Sequence, residues 1–232
     1  MLNHNNPYLL LWLEGNFQSW GHNSMFNQRK TLDFPTKSGV LGLMLSAMGR
    51  NGEQREFLAE FSQLDMQVKA YSKTKSIAPY LFDYQTIGGG YDILNKHENL
   101  FVPKDEQGKN TSFSSVIINK YYLQDSIFAV FMEIPHIYQE EVKEGLLFPC
   151  RPIFLGRKNC TPTEFVFQGI FDHLSEAKEK ANTLSKQKGI YHKFDVLQGE
   201  SENKALKRII INDIPVSLGL KTKYQSRVLT LV

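Results

Sequence analysis

Between Val40 and Met48 the chain places Val40, Leu41, Leu43, Met44, Leu45, Ala47 and Met48, apolar residues that fall on every side of a helix. Such a helix has no face to offer water, so other elements must surround it. Its start is marked by Thr36-Lys37-Ser38-Gly39, with Thr36 or Ser38 as N-cap. Gly39 and Gly42 permit close packing on a strand, and Gly49 suits the left-handed position after the last turn. A partner of the right kind precedes it: Tyr8 to Leu13 is continuously apolar and reads as a buried strand ended by Glu14-Gly15. A core of that size needs a long chain, and 232 residues with 41% hydrophobic content supply it. The expectation is one domain over 1–232, with a core of 1–78 and 116–232 and an arm at about 79–115.

The rest of the chain alternates in type. Phe57, Leu58, Phe61 and Leu64 predict a helix over Glu53 to Leu64, and Met66 to Tyr71 alternates as a strand. From Pro79 to Ser115 the pattern weakens around Gly88-Gly89-Gly90, Pro103 and Gly108, which reads as an extended hairpin or arm leaving the domain. Val116–Leu123 and Ser126–Ile134, separated by Gln124-Asp125, predict a hairpin. A polar helix follows over Ser175 to Lys188, with Ser175 as cap and Gly189 as terminator. Strands near Tyr191–Leu197, Lys207–Asn212 and Arg227–Val232 complete an α+β pattern, helices on one face of an antiparallel sheet.

The net charge of +3 is mild, but its distribution is uneven. Residues 22–50 hold Arg29, Lys30, Lys37 and Arg50 against Asp33. Residues 150–163 hold Arg151, Arg157 and Lys158 with no acid, and 203–232 hold Lys204, Lys207, Arg208, Lys221, Lys223 and Arg227 against Asp213. Clustered cations of this kind suit a polyanion. No apolar run approaches the roughly eighteen residues of a membrane span. With Cys150 and Cys160 as the two cysteines, no disulfide framework is expected, and a reducing, cytoplasmic setting follows.

Lys37-Ser38 at a helix start invites comparison with a phosphate-binding loop, yet Thr36 replaces the required glycine, so nucleotide hydrolysis is not expected. A helix N-terminus with a mobile lysine remains a phosphate site in principle. Leu155-Gly156-Arg157-Lys158-Asn159-Cys160 is a second candidate: a glycine-led turn with two adjacent cations, one able to pair bidentately with phosphate or stack on a base. The six histidines lack metal-ligand spacing, and no cofactor motif is present. His22 and His136 are the candidate bases should the chain cut RNA.

Leu11-Trp12-Leu13-Glu14-Gly15-Asn16-Phe17-Gln18-Ser19-Trp20-Gly21, then Arg29, then Phe34-Pro35-Thr36-Lys37-Ser38-Gly39-Val40-Leu41-Gly42-Leu43, resembles the CRISPR-associated CasD family in its type I-E Cascade form. Asp83-Tyr84-Gln85-Thr86, Tyr122-Leu123-Gln124-Asp125 and Leu155 to Cys160 extend the likeness to about residue 170. Asn16 stands where the family usually has proline, and Lys120 where an arginine often precedes the tyrosine pair. The resemblance implies a ferredoxin-like, RNA-recognition-type core with a protruding β-hairpin thumb. It implies a non-catalytic subunit that caps the guide RNA (crRNA) at its 5′ handle. The implied neighbours are a CasC-type backbone subunit and a CasA-type large subunit, with target DNA reached through the complex. The RNA contacts expected are Arg29, Thr36, Lys37, Ser38, Lys120, Tyr121, Tyr122, Arg157 and Lys158. The rival from another class is a metal-independent endoribonuclease that processes repeat RNA.

Overall fold

A computed structural model describes residues 6–21, 27–74, 80–87, 107, 116–199, 206–219 and 222–232. In chain order the first half forms β1 (Tyr8–Glu14), β2 (Phe17–Gln18), β3 (Trp20–Gly21), β4 (Gln28–Arg29), β5 (Thr31–Leu32), α1 (Lys37–Ala47), α2 (Arg55–Ser62) and β6 (Met66–Ser72). The second half forms β7 (Leu81–Ile87), β8 (Val116–Gln124), β9 (Ser126–Glu133), α3 (Gln139–Leu147), β10 (Phe167–Phe171), α4 (Leu174–Lys188), β11 (Tyr191–Gln198), β12 (Lys207–Ser217) and β13 (Lys223–Leu231).

Seven strands make one antiparallel sheet in the order β10-β1-β9-β6-β11-β13-β12. The expected α+β class holds. β1 has hydrophobic side chains at consecutive positions because both sheet faces are covered. Leu9, Leu11 and Leu13 join Val68, Phe128, Val130 and Met132 beneath α1, α2 and α3, while Leu10 and Trp12 join Ile127, Ala129 and Phe131 beneath Ala177 and Ala181 of α4. Helices therefore pack on both faces rather than on one. Each fully buried leucine contributes roughly 1.5–3 kcal/mol through its removal from water. The apolar helix is α1, with Val40, Leu41 and Met44 fully buried and Thr36 as its N-cap.

Two further expectations need correction, and one helix lies where none is expected. The proposed hairpin between Val116–Leu123 and Ser126–Ile134 does not form. β8 pairs with β2, β4 and β7, while β9 pairs with β1 and β6. The chain bends at Asp125, which takes a positive φ of 47°, and passes from one sheet to another. Ser175 is not the cap of α4: the helix begins at Leu174, with His173 in the capping position and no side-chain bond. Finally, α3 was not expected. Its buried residues are few, Val142, Gly145 and Leu146, so its apolar periodicity is faint. Gly145 is required there, since a Cβ would stand 2.7 Å from Met48 Cγ of the neighbouring helix.

β7 runs antiparallel to β8 from Leu81↔Tyr122 to Ile87↔Val116, forming the base of the excursion predicted for 79–115. The remainder of that excursion, Tyr80 and Gln107 aside, lies outside the described residues. Among the described residues no helix is long and apolar enough to cross a membrane.

Candidate nucleic-acid interface

The N-terminus of α1 is already occupied by the protein's own anion. Asp213, from β12, accepts the Lys37 backbone N–H at 2.7 Å and a two-pronged ion pair from Arg227 of β13, Nε to Oδ1 at 2.7 Å and Nη2 to Oδ2 at 2.8 Å. All three residues are buried. A carboxylate at this place meets the free N–H groups and positive end of the helix, as a phosphate would. The Lys37 side chain turns inward and donates from Nζ to the carbonyls of Ser62 (3.1 Å) and Leu64 (2.6 Å). Burial, reinforced by the Arg227 charge, pushes its pKa down to about 8 against the opposing pull of Asp213, Asp65 and Glu133. Thr36 is also buried, its Oγ1 accepting from Gly39 N at 3.1 Å and from the Ser38 hydroxyl at 3.3 Å. Of the phosphate contacts expected here, the Thr36 and Lys37 side chains are buried on internal partners, whereas Ser38 is half-buried. Thr36 caps the helix, Lys37 ties it to the end of α2, and the Ser38 hydroxyl is engaged with Thr36.

The second candidate sits differently. Gly156 has a φ of +93°, and a Cβ on it would come within 1.8 Å of Ser19 O, so only glycine brings this turn against the segment joining β2 and β3. Ser19 N donates to Leu155 O at 3.1 Å, and Ser19 Oγ to Tyr121 O at 3.2 Å, binding the turn to β8 as well. Arg157 lies with its guanidinium 4.8 Å from the centre of the Tyr122 ring. It donates to Tyr121 O at 3.3 Å and Arg29 O at 2.8 Å. One side chain therefore fixes the turn, β8 and β4 together. Arg29, Lys30 and Lys158 are exposed around it. Arg151 of the same loop is engaged away from this cluster, with Gly49 O, Arg50 O and Asn51 Oδ1.

The ribbon of β7 and β8 has two unlike faces, because directly opposed residues share a side. On one, Leu81, Asp83 and Gln85 oppose Tyr122, Lys120 and Ile118. Lys120 donates to Gln85 Oε1 at 2.5 Å, and Gln85 donates to Asp83 at 2.8 Å, so this lysine is held on the ribbon. Arg29 of β4 lies in register beside it. Tyr122 is buried, with its hydroxyl accepting from Asn159 at 3.0 Å. It supports Arg157 from below and cannot stack a base, contrary to expectation. The other face carries Phe82, Tyr84 and Thr86 opposite Tyr121, Asn119 and Ile117. Phe82, Tyr84 and Ile117 are exposed there, and the Phe82 and Tyr121 rings lie 5.1 Å apart. Phe82 and Tyr84 are not among the contacts expected from the sequence, although the alternation Leu81-Phe82-Asp83-Tyr84-Gln85 carries the signal.

The residues that resembled the family most strongly are largely structural. Gln18 is fully buried and donates to Leu13 O and Ser126 O while accepting from Trp20 Nε1. Burial alone would raise the Glu14 pKa, but hydrogen bonds from Trp12 and from the Lys188 and Lys73 ammonium groups hold it below the usual carboxylate range. His136 stands in a 3-10 turn, exposed and bonded to Gln139. Its neighbour Tyr138 packs on Phe57 and Phe61, not on the Arg157 cluster. His22 lies outside the described residues. Among the described residues, no group of three or more His, Cys, Asp or Glu could hold a metal ion. A hollow of about 490 Å³ is lined by apolar residues including Ala70, Phe128 and Leu231, with Asp33, Asp125 and Lys193 as its charged residues.

Residues 8–228 match the family model described as CRISPR-associated protein (Cas_Cas5). The chain is 28% identical over 178 residues to the CRISPR system Cascade subunit CasD of Escherichia coli strain K12, covering 70% of each chain. A chain of a solved CRISPR RNA-guided surveillance complex superposes with a TM-score of 0.71 at 23% identity, covering 97% of this chain and 89% of that one. A second solved structure, of a Cas protein, gives a TM-score of 0.62 at 22% identity, covering 97% and 94%.

Proposed function

Because the chain belongs to the CRISPR-associated Cas5 family, we propose that it is a non-catalytic subunit of a Cascade-type surveillance complex that holds the 5′ handle of the guide RNA. The observation that carries this reading is the cationic cluster of Arg29, Lys30 and Lys158 around the fixed Arg157 guanidinium. Exposed cations on a framework fixed by backbone hydrogen bonds suit phosphate oxygens at defined positions. The exposed Phe82 and Tyr84 on the adjoining ribbon suit splayed bases, which stack on aromatic rings without regard to sequence. The β1-α1-β6-β9-α3-β10 connectivity, with sheet order β10-β1-β9-β6, supports the ferredoxin-like reading of the core. The β7–β8 pairing supports a hairpin thumb.

In this role the protein partners are a CasC-type backbone subunit and a CasA-type large subunit. Target DNA is reached through the assembled complex. The test is ultraviolet crosslinking within a complex assembled on guide RNA, followed by mapping of the crosslinked nucleotides. Crosslinks to this chain are expected in the 5′ handle, with Tyr121, Phe82 or Tyr84 among the attachment points. Crosslinks confined to the 3′ half of the guide would overturn the reading. The non-catalytic role is checked by incubating the purified chain with labelled repeat RNA, where no site-specific cleavage is expected.

A further inference from the structure

Helix α3 presents a surface that neither the fold nor RNA binding accounts for. Its inward residues, Val142, Gly145 and Leu146, complete the core against α1. Ile137 and Phe148, at its two ends, are 73% and 79% exposed. Glu141 and Glu144 stand between them on the helix, Ile137 is in the 3-10 turn that precedes it and Phe148 is its C-cap, and these four exposed side chains make up a stripe along α3. Beside the stripe runs a groove of about 210 Å³ whose walls include Met48, Glu144, Gly145 and Phe148. Glutamates outnumber bases here by one, Glu140, Glu141 and Glu144 against Lys143 and Arg50. Glu140 and Glu144 are exposed, and Lys143 is directed to Glu140 at 3.3 Å, while Arg50 is directed to Glu141 at 2.6 Å.

Acidic side chains repel a nucleic acid, and exposed apolar side chains beside a groove are features of a protein contact. A second copy of this chain meeting the same patch across a two-fold axis would set glutamate against glutamate. We propose that the α3 stripe is the docking surface for a different protein subunit, through a basic segment that also places an apolar side chain in the groove. Lysine or arginine on that segment pairs with Glu144, and its apolar residue packs between Met48 and Phe148. This surface is built by other elements than the cationic cluster, so one subunit can hold RNA and a protein neighbour at the same time. The inference rests on the reading that the chain works inside a multi-subunit complex.

The experiment uses the full chain expressed together with its companion subunits and guide RNA. Two double variants are compared with wild type: Ile137→Asp/Phe148→Asp, which removes the apolar anchors, and Glu140→Lys/Glu144→Lys, which reverses the charge. The altered side chains are solvent-facing, and unchanged circular dichroism confirms folding. Each variant is expected to lower the occupancy of one protein subunit at least about tenfold, as removal of a central anchor does, while guide RNA stays bound. The backbone amides of α3 are expected to exchange more slowly with deuterium in the complex than in the free chain. Unchanged subunit occupancy in both variants would overturn the proposal. So would α3 protection conferred by RNA alone, or a dimer of the isolated chain that the variants dissolve. RNA content is read separately: a wild-type complex without RNA refutes handle-holding and leaves subunit occupancy to decide the surface.

Discussion

Two basic stretches look alike in the sequence, Lys37 at the start of α1 and Arg157 in the glycine-led turn, and the fold uses them in opposite ways. Lys37 is fully buried and hydrogen-bonded from within, its backbone N–H on Asp213 and its ammonium on two carbonyls. Arg157 is half-buried, stacked on Tyr122, and surrounded by cations that face solvent. The difference comes from partners remote in sequence. Asp213 stands 176 residues beyond Lys37 and supplies the anion that the helix terminus would otherwise accept from outside. A cation beside a helix start is a ligand site only if the fold leaves it unanswered.

The largest effect expected from breaking this contrast is at Asp213. Asp213→Ala leaves Arg227 buried without its counter-ion and the helix terminus uncapped, and should destabilise the protein by about 3–5 kcal/mol in urea unfolding. RNA affinity per folded molecule should be unchanged. Next comes Lys37→Met, which orphans the Ser62 and Leu64 carbonyls and should cost about 1–3 kcal/mol. The same pair of proteins gives a pH test. Lys37 titrates at about 8 in the fold and at its ordinary 10.5 when unfolded, so between these values the unfolded chain binds more protons. Wild type should therefore gain stability relative to Lys37→Met as pH rises through that window, by on the order of 3 kcal/mol. A difference flat with pH contradicts the buried ammonium. The smallest effect is Tyr122→Phe, which removes the bond from Asn159 and should cost about 1 kcal/mol, with a modest drop in RNA affinity as the turn loosens.

What was legible in the sequence was local. The all-round apolarity of α1, the continuous run of β1, the Thr36 cap and the left-handed Gly189 each depend on neighbours within a turn or two, and each stands where expected. The family resemblance was legible too, but through residues such as Gln18 and Glu14 whose work is internal. The rest needed the tertiary structure. Asp125 lets one ribbon cross between sheets, a partner change that strand periodicity does not encode. The α3 helix hid because it buries Val142, Gly145 and Leu146 alone, one of them a glycine that sits against Met48. The aromatic face of β7 is plain in the alternation of its residues, but nothing local says that this face stays exposed.

The central claim, that RNA is gripped at the Arg157 cluster and not at the start of α1, is tested most directly by the salt dependence of RNA affinity. Wild type, Lys37→Met and Arg29→Ala/Lys158→Ala are titrated with one single-stranded handle RNA across a salt series. The double variant should bind more weakly, with the slope of log affinity against log salt reduced by roughly 0.7 for each cation–phosphate pair removed. Lys37→Met should keep the wild-type slope. A slope that falls in Lys37→Met and is retained in Arg29→Ala/Lys158→Ala would contradict the account.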